Sequence, residues 1–211
     1  MDDCLIAAPK KEQCEKDTVT LLRHLAREGH KANLSKLQFV QEQVKFLGHL
    51  ISGQGKAREQ SRVKAIQEIP KPKTKKQLLS FLGMCSYCRT FVPNYAVLEA
   101  PLSGIVHGKG LQAHCVLDWT PEAEQAFRDL KLALQTTPTL GLPNPDKPFT
   151  QAVDEKRGCM TSVLLQENGG RLRPVAYFSA KLDPVAAGLP TCLRAVAAAE
   201  KAVNASRDIV G

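Results

Sequence analysis

Thr74-Lys75-Lys76-Gln77-Leu78-Leu79-Ser80-Phe81-Leu82-Gly83-Met84-Cys85 opens a helix, and the rest of the chain sorts itself to either side of it. Thr74 and Gln77 have capping-box spacing: the Thr hydroxyl accepts the N3 amide, and the Gln side chain reaches back to the amide of the cap residue. Leu78, Phe81, Leu82 and Cys85 recur three and four apart, so they share one face, and a helix of this pattern buries that face. Gly83 costs about 1 kcal/mol against alanine in a helix interior, which predicts a neighbour packed closely there. Phe91-Val92-Pro93-Asn94-Tyr95 begins a second short helix running toward Leu98, Leu102 and Ile105.

Toward the N-terminus the helix is preceded by a basic stretch. Between Lys56 and Lys76, Lys56, Arg58, Arg62, Lys64, Lys71, Lys73, Lys75 and Lys76 face only Glu59 and Glu68. A short helix around Ser61 to Glu68 turns Val63 and Ile66 inward, and Pro70-Lys71-Pro72 breaks it. Further upstream, Val44 to Ile51 reads as one strand closed by the turn Ser52-Gly53-Gln54-Gly55. Lys31 to Leu34 and Lys36 to Val40 are candidate short strands. Lys10 to Glu28 is an amphipathic helix with Cys14, Val19, Leu22, Leu25 and Ala26 on its apolar side, ended by Gly29 as a C-cap. The apolar run Cys4 to Ala8 reads as a buried opening strand, and the acids Asp2 and Asp3 precede it in a tight turn.

Toward the C-terminus, His107 to Gln112 is a glycine-bearing loop. Thr120 as N-cap, Pro121 at N1 and Glu122 and Glu124 in the first turn start another helix. It buries Ala123, Phe127, Leu130 and Leu134, and Trp119 reads as a core anchor at its entrance. Phe149 to Val153, Met160 to Gln166 and Leu172 to Phe178 are three strands, the last two joined by a turn at Asn168-Gly169-Gly170. An alanine-rich helix from Thr191 to about Ser206 follows. The fold class is α+β, and the C-terminal third is α/β in character.

The chain of 211 residues is long enough for one large or two modest domains with a real core, and its net charge of +8 suggests attraction to a polyanion. The seven cysteines have no framework spacing and read as reduced thiols of an intracellular protein, cytoplasmic and nuclear locations being equally open. No apolar run reaches the length of a membrane span or forms a signal peptide. Cys85-Ser86-Tyr87-Cys88 has the spacing of half a zinc site, but in a helix these two thiols share the buried face, and core packing is the favoured reading. The five histidines are not arranged with any nucleophile.

Several phrases resemble the polymerase polyprotein of gammaretrovirus-like elements, over essentially the whole chain. Met1-Asp2-Asp3 is similar to the end of the Tyr-X-Asp-Asp turn of reverse transcriptases. Val44-Lys45-Phe46-Leu47-Gly48 is similar to the strand that grips the primer. Pro72-Lys73-Thr74 with Gln77 to Gly83, and Cys88 to Pro93, resemble the thumb. Leu140 to Pro143, Lys147-Pro148-Phe149, Val153 to Lys156, Arg173 to Tyr177 and Lys181 to Gly188 resemble the connection segment. The resemblance implies the C-terminal part of a palm with a primer-grip-like hairpin over 1–58, a helical thumb over 59–110 and a truncated RNase H-like connection domain over 111–211.

It also implies RNA-directed DNA polymerase chemistry, in which two Mg²⁺ ions about 4 Å apart support attack of the primer 3′-hydroxyl. Asp2 and Asp3 would form part of that metal shell, whose third carboxylate comes from a strand upstream of the turn. The expectation is therefore a catalytically incomplete, reverse transcriptase-derived chain that binds an RNA–DNA or DNA duplex weakly through its backbone. The residues expected to make that contact are Lys45, Phe46, Leu47, Gly48, Lys71, Lys73, Lys75 and Lys76. In the RNase H-like third, Asp154 falls where a first metal-binding acid could stand. The next expected acid is replaced in Thr191-Cys192-Leu193-Arg194, so Asp154 and Glu155 read as a solvated turn. The alternatives are a host-adopted module that binds a protein such as a retroviral polymerase subunit, a polymerase active only within a longer Pol product, and a reading frame without selected function.

Overall fold

A helix and two linked hairpins make up the first of two units in the computed structural model, which describes residues 3–107 and 112–211. In this unit, Met1–Glu59, α1 runs over Lys11–Arg27. Gly29, at φ 82°, ends it in a Schellman motif: the His30 amide donates to the Leu25 carbonyl at 2.9 Å and the Gly29 amide to that of Ala26 at 3.2 Å. Its apolar side is at most half-buried.

Three sequence expectations fail in this unit. Cys4 to Ala8 is irregular and largely exposed, because no segment among the described residues pairs with it and an unpaired strand leaves its backbone groups unmet. Neither 31–34 nor 36–40 forms a strand. Instead the Asn33 side chain accepts the Ser35 amide at 3.0 Å and winds Leu34–Lys36 into a single 3₁₀ turn. The strand expected over Val44 to Ile51 is two strands, β1 (Gln43–Phe46) and β2 (His49–Ser52), folded back at Leu47-Gly48. Both turn residues have positive φ, 46° and 71°, as a two-residue type I′ hairpin requires. The turn expected at Ser52 to Gly55 does lead into β3 (Gly55–Arg58), giving an antiparallel order β1-β2-β3. The Gln38 amide group occupies the outer edge of β1, donating to the Lys45 carbonyl and accepting its N–H, both at 2.7 Å. That contact blocks part of an edge otherwise open to pairing.

The second unit, Gln60–Gly211, begins with four helices: α2 (Gln60–Glu68), α3 (Lys75–Tyr87), α4 (Tyr95–Val106) and α5 (Pro121–Gln135). They share one core, in which Ile66, Leu78, Phe81, Cys85, Leu102 and Leu130 are fully buried. The capping box at Thr74 is formed, and Thr120 caps α5 by accepting the Ala123 amide. Gly83 departs from expectation. It lies on the exposed side of α3, where an added Cβ meets nothing within 4 Å.

Strands β4 (Phe149–Lys156), β5 (Cys159–Asn168) and β6 (Arg171–Lys181) form an antiparallel meander. Its two-residue turns, Arg157-Gly158 and Gly169-Gly170, have positive φ throughout. A one-turn helix α6 (Pro184–Ala187) precedes α7 (Thr191–Val210). Helix α7 lies on the sheet through Ala198, Ala202 and Ser206, small residues that permit a close approach. Gln151 on β4 ties the two together, donating to the Ser162 hydroxyl at 3.0 Å and the Ala202 carbonyl at 2.9 Å, and accepting from the Ser206 hydroxyl at 3.1 Å.

Candidate nucleic-acid interface

In the first unit the expected contact residues Lys45, Phe46, Leu47 and Gly48 occupy the first hairpin and its tip. Lys45 is exposed, and its ammonium pairs with Glu59 at 2.7 Å. Leu47 is 57% exposed and holds φ 46°, a conformation that costs a non-glycine residue roughly 1–3 kcal/mol. An exposed leucine where asparagine or glycine would relax the backbone is unfavourable for both solvation and conformation.

The second unit carries the other lysines at the start of α3. Lys71 does not project freely: its ammonium hydrogen-bonds Glu124 and stands 4.8 Å from the centroid of the Trp119 ring. The bond holds the Glu124 carboxyl below its ordinary value. Trp119 is half-buried as a core anchor, donating Nε1–H to the Pro72 carbonyl at 2.9 Å and packing edge-on to Phe127. Lys73 and Lys76 are exposed and Lys75 is half-buried. The amides of Lys75 and Lys76 donate to the carbonyls of Cys115 and Ala113. The helix terminus itself is thereby satisfied, which leaves the side chains as the means of meeting a phosphate.

Along the solvent side of α3, Lys76, Ser80, Gly83 and Tyr87 follow one another at spacings of four, three and four, so they form one line. The Arg62 guanidinium sits 4.2 Å from the centroid of the Tyr87 ring at the end of that line. Sequence reasoning singles out Gly83 but assigns it to packing. Helical phase relative to Leu78, Phe81, Leu82 and Cys85 already puts it off the buried face.

Asp2 lies outside the described residues, and Asp3 is exposed. Reverse transcriptase and RNase H-like families use divalent metal ions, but among the described residues no three His, Cys, Asp or Glu side chains come together as a metal site. The residues described do not by themselves fit the metal pair. Cys85 and Cys88 are core residues, and burial pushes the Cys85 thiol up to about 12.

Asp154 and Glu155 are in strand β4 and not in a turn. The Glu155 side chain is largely enclosed on the face toward α7, where one carboxylate oxygen accepts the Gly158 amide at 2.7 Å and the other lies 3.1 Å from Arg194 Nε. The approach is an ion pair and not an aligned hydrogen bond. Strand alternation puts exposed Asp154 on the opposite face. Arg194 therefore serves Glu155, and no side chain of α7 can join Asp154.

Residues 1–51 match the family model for reverse transcriptase (RNA-dependent DNA polymerase) and residues 119–211 that for the RNase H-like domain found in reverse transcriptase. The chain belongs to the reverse transcriptase family. Within it, the chain is gammaretrovirus-like Pol sequence. It is 41% identical to the Pol polyprotein of feline endogenous virus ECE1 over 98% of this chain and 19% of that protein. It is 45% identical to the Gag-Pol polyprotein of avian reticuloendotheliosis virus over 94% of this chain and 17% of that protein. Gibbon ape leukemia virus Gag-Pol is 42% identical over 94% of this chain and 11% of its own length. The chain thus spans a fifth or less of these relatives. Among solved structures, foamy viral protease-reverse transcriptase in complex with double-stranded DNA has a TM-score of 0.85 at 21% identity, over 97% of this chain and 35% of that one. Foamy viral protease-reverse transcriptase in complex with an RNA/DNA hybrid, where the preceding structure is of the form designated dRH, has a TM-score of 0.84 at 22% identity, over 98% of this chain and 28% of that one. These likenesses establish the fold. No helix among the described residues is long and apolar enough to cross a membrane.

Proposed function

We propose that these 211 residues are the duplex-holding part of a retroviral reverse transcriptase, with 1–58 as palm and primer-grip hairpin, 59–110 as thumb and 111–211 as connection. The observation that carries this reading is the line of Lys76, Ser80, Gly83 and Tyr87 on α3, with Lys73 beside its start. Lysines supply counterion release, hydroxyls supply neutral donors, and bare backbone at Gly83 lets a sugar–phosphate edge come close. The hairpin tip at Leu47-Gly48 in the other unit is proposed as a second, separate contact. Each contact is independent of base sequence.

Nucleotide addition is assigned to a longer Pol product in which Asp2 and Asp3 share Mg²⁺ with a third carboxylate. The ion would stabilise the attacking and leaving oxygens of the transfer.

Binding to a fluorescent RNA–DNA hybrid, followed by anisotropy over a salt series, tests the reading. Affinity should fall linearly on a log–log plot. Lys73→Glu with Lys76→Glu should flatten the slope by about 2, near 0.9 for each phosphate that is no longer neutralised. An unchanged slope would count against the lysines. Gly83 supplies a test with opposite signs. Gly83→Ala should stabilise the fold by about 0.5–1 kcal/mol, since the added methyl meets open space in a helix, while Gly83→Leu should weaken hybrid binding about tenfold, or about 1.4 kcal/mol. Full affinity in the leucine variant sinks the close-approach argument even if the lysines pass.

A further inference from the structure

Helix α7 buries one side against the sheet through Arg194, Ala198, Ala202 and Ser206 and turns the other to solvent. That outer side is not polar. Leu193 is 48% exposed, Val196 66%, Val203 59% and Val210 44%. With Glu200 and Arg207, both exposed, they run 193, 196, 200, 203, 207, 210, alternating three and four. This is a continuous a/d seam through the length of the helix, with two polar positions in six. Opposite charges stand one heptad apart within it.

The placement of those two charges decides what the seam fits. A parallel copy in register would set Glu200 against Glu200 and Arg207 against Arg207, which opposes like charges in the seam. An antiparallel copy in full overlap pairs a with d positions instead: Leu193 meets Val210 of the second copy, Val196 meets Arg207 and Glu200 meets Val203. In that register Glu200 and the second copy's Arg207 are one helical turn apart, about 6 Å along the axis. Side chains on a helix lean toward its N-terminus, and in antiparallel helices those directions oppose. Glu200 therefore leans toward Arg207 of the second copy, and that Arg207 leans toward Glu200. The two-fold axis repeats the pair. The hydrogen bond that Glu200 accepts from Asn204 of its own helix leaves the second carboxylate oxygen for this contact.

We propose that α7 is a self-association surface through which two copies of this chain pair antiparallel, held by Leu193, Val196, Val203 and Val210 and set in register by Glu200 and Arg207. One helix per copy is less than a standard interface, so the dimer is weak and concentration-dependent. The inference does not rest on duplex binding, and its test contains no nucleic acid.

Sedimentation velocity on the full chain over a concentration series, from about 10 µM to about 1 mM, should show a monomer–dimer equilibrium. Val203→Glu should abolish it. Glu200→Arg alone and Arg207→Glu alone should each weaken association at least tenfold, and the double variant Glu200→Arg/Arg207→Glu should restore it. Circular dichroism of each variant confirms that α7 remains folded. A chain monomeric throughout the series overturns the proposal, as does association that Val203→Glu leaves intact. Single charge variants that associate as well as the parent overturn the antiparallel register, as does a double variant that stays monomeric with its fold intact.

Discussion

Phe81→Ala is expected to destabilise the second unit by about 3–5 kcal/mol, the cost of deleting a fully buried phenyl ring into a core that cannot close over it. The ring is completely enclosed, its centroid 4.8 Å from that of Phe127, and it lies where α3 and α5 share a core. Domains of this size have about 5–15 kcal/mol in total, so the loss is a large fraction of the margin. In a melt it should appear as a fall of roughly 6–20 °C, at ~2–4 °C per kcal/mol for this chain length. Leu79→Ala provides the control, because Leu79 is two positions away on the same helix and 45% exposed. Its expected effect is within about 0.5 kcal/mol. Comparable shifts for the two variants would mean that α3 is rotated about its axis, and the line through Lys76, Ser80, Gly83 and Tyr87 would then no longer face solvent.

What could be read in advance was whatever a few neighbouring residues decide. The caps at Thr74 and Thr120 follow from a hydroxyl and an amide three residues apart, and the turn at Gly169-Gly170 follows from residues that accept positive φ without strain. The hairpin tip at Leu47-Gly48 was not legible, because leucine gives no local reason to reverse the chain. Pairing of β1 with β2, a contact distant from the local sequence signal, closes it. Cys4 to Ala8 failed for the converse reason: its composition suits a strand, but strand formation depends on a partner elsewhere. The candidate interface was half legible. Charge counting found the lysines, but nothing near Lys71 in sequence announces Glu124, and the solvent face of Gly83 follows only when helical phase is weighed above the usual packing role of a helix glycine.

Arg194→Met is the more informative break in the RNase H-like sheet. It leaves the Glu155 carboxylate, 8% exposed, held chiefly by the Gly158 amide. Breaking a fully buried pair costs about 3–5 kcal/mol; with Arg194 31% exposed and the amide retained, the expected loss is nearer 1–3 kcal/mol. Glu155→Gln should cost less than Arg194→Met. The glutamine keeps an acceptor for Gly158, and a lone Arg194 reaches water more readily than a lone Glu155 does. Replacing both, as Glu155→Gln with Arg194→Met, should recover much of the loss, since no unpaired charge is left in the low-dielectric site. Urea unfolding of the four chains measures this as a coupling between the two positions. If Arg194→Met proves neutral, Glu155 has solvent or another cation near it, and the face of β4 toward α7 would again be open to a role beyond structure. A coupling of the predicted sign means instead that the carboxylate on this face is already committed to holding the helix on the sheet, while strand alternation keeps Asp154 on the face away from α7.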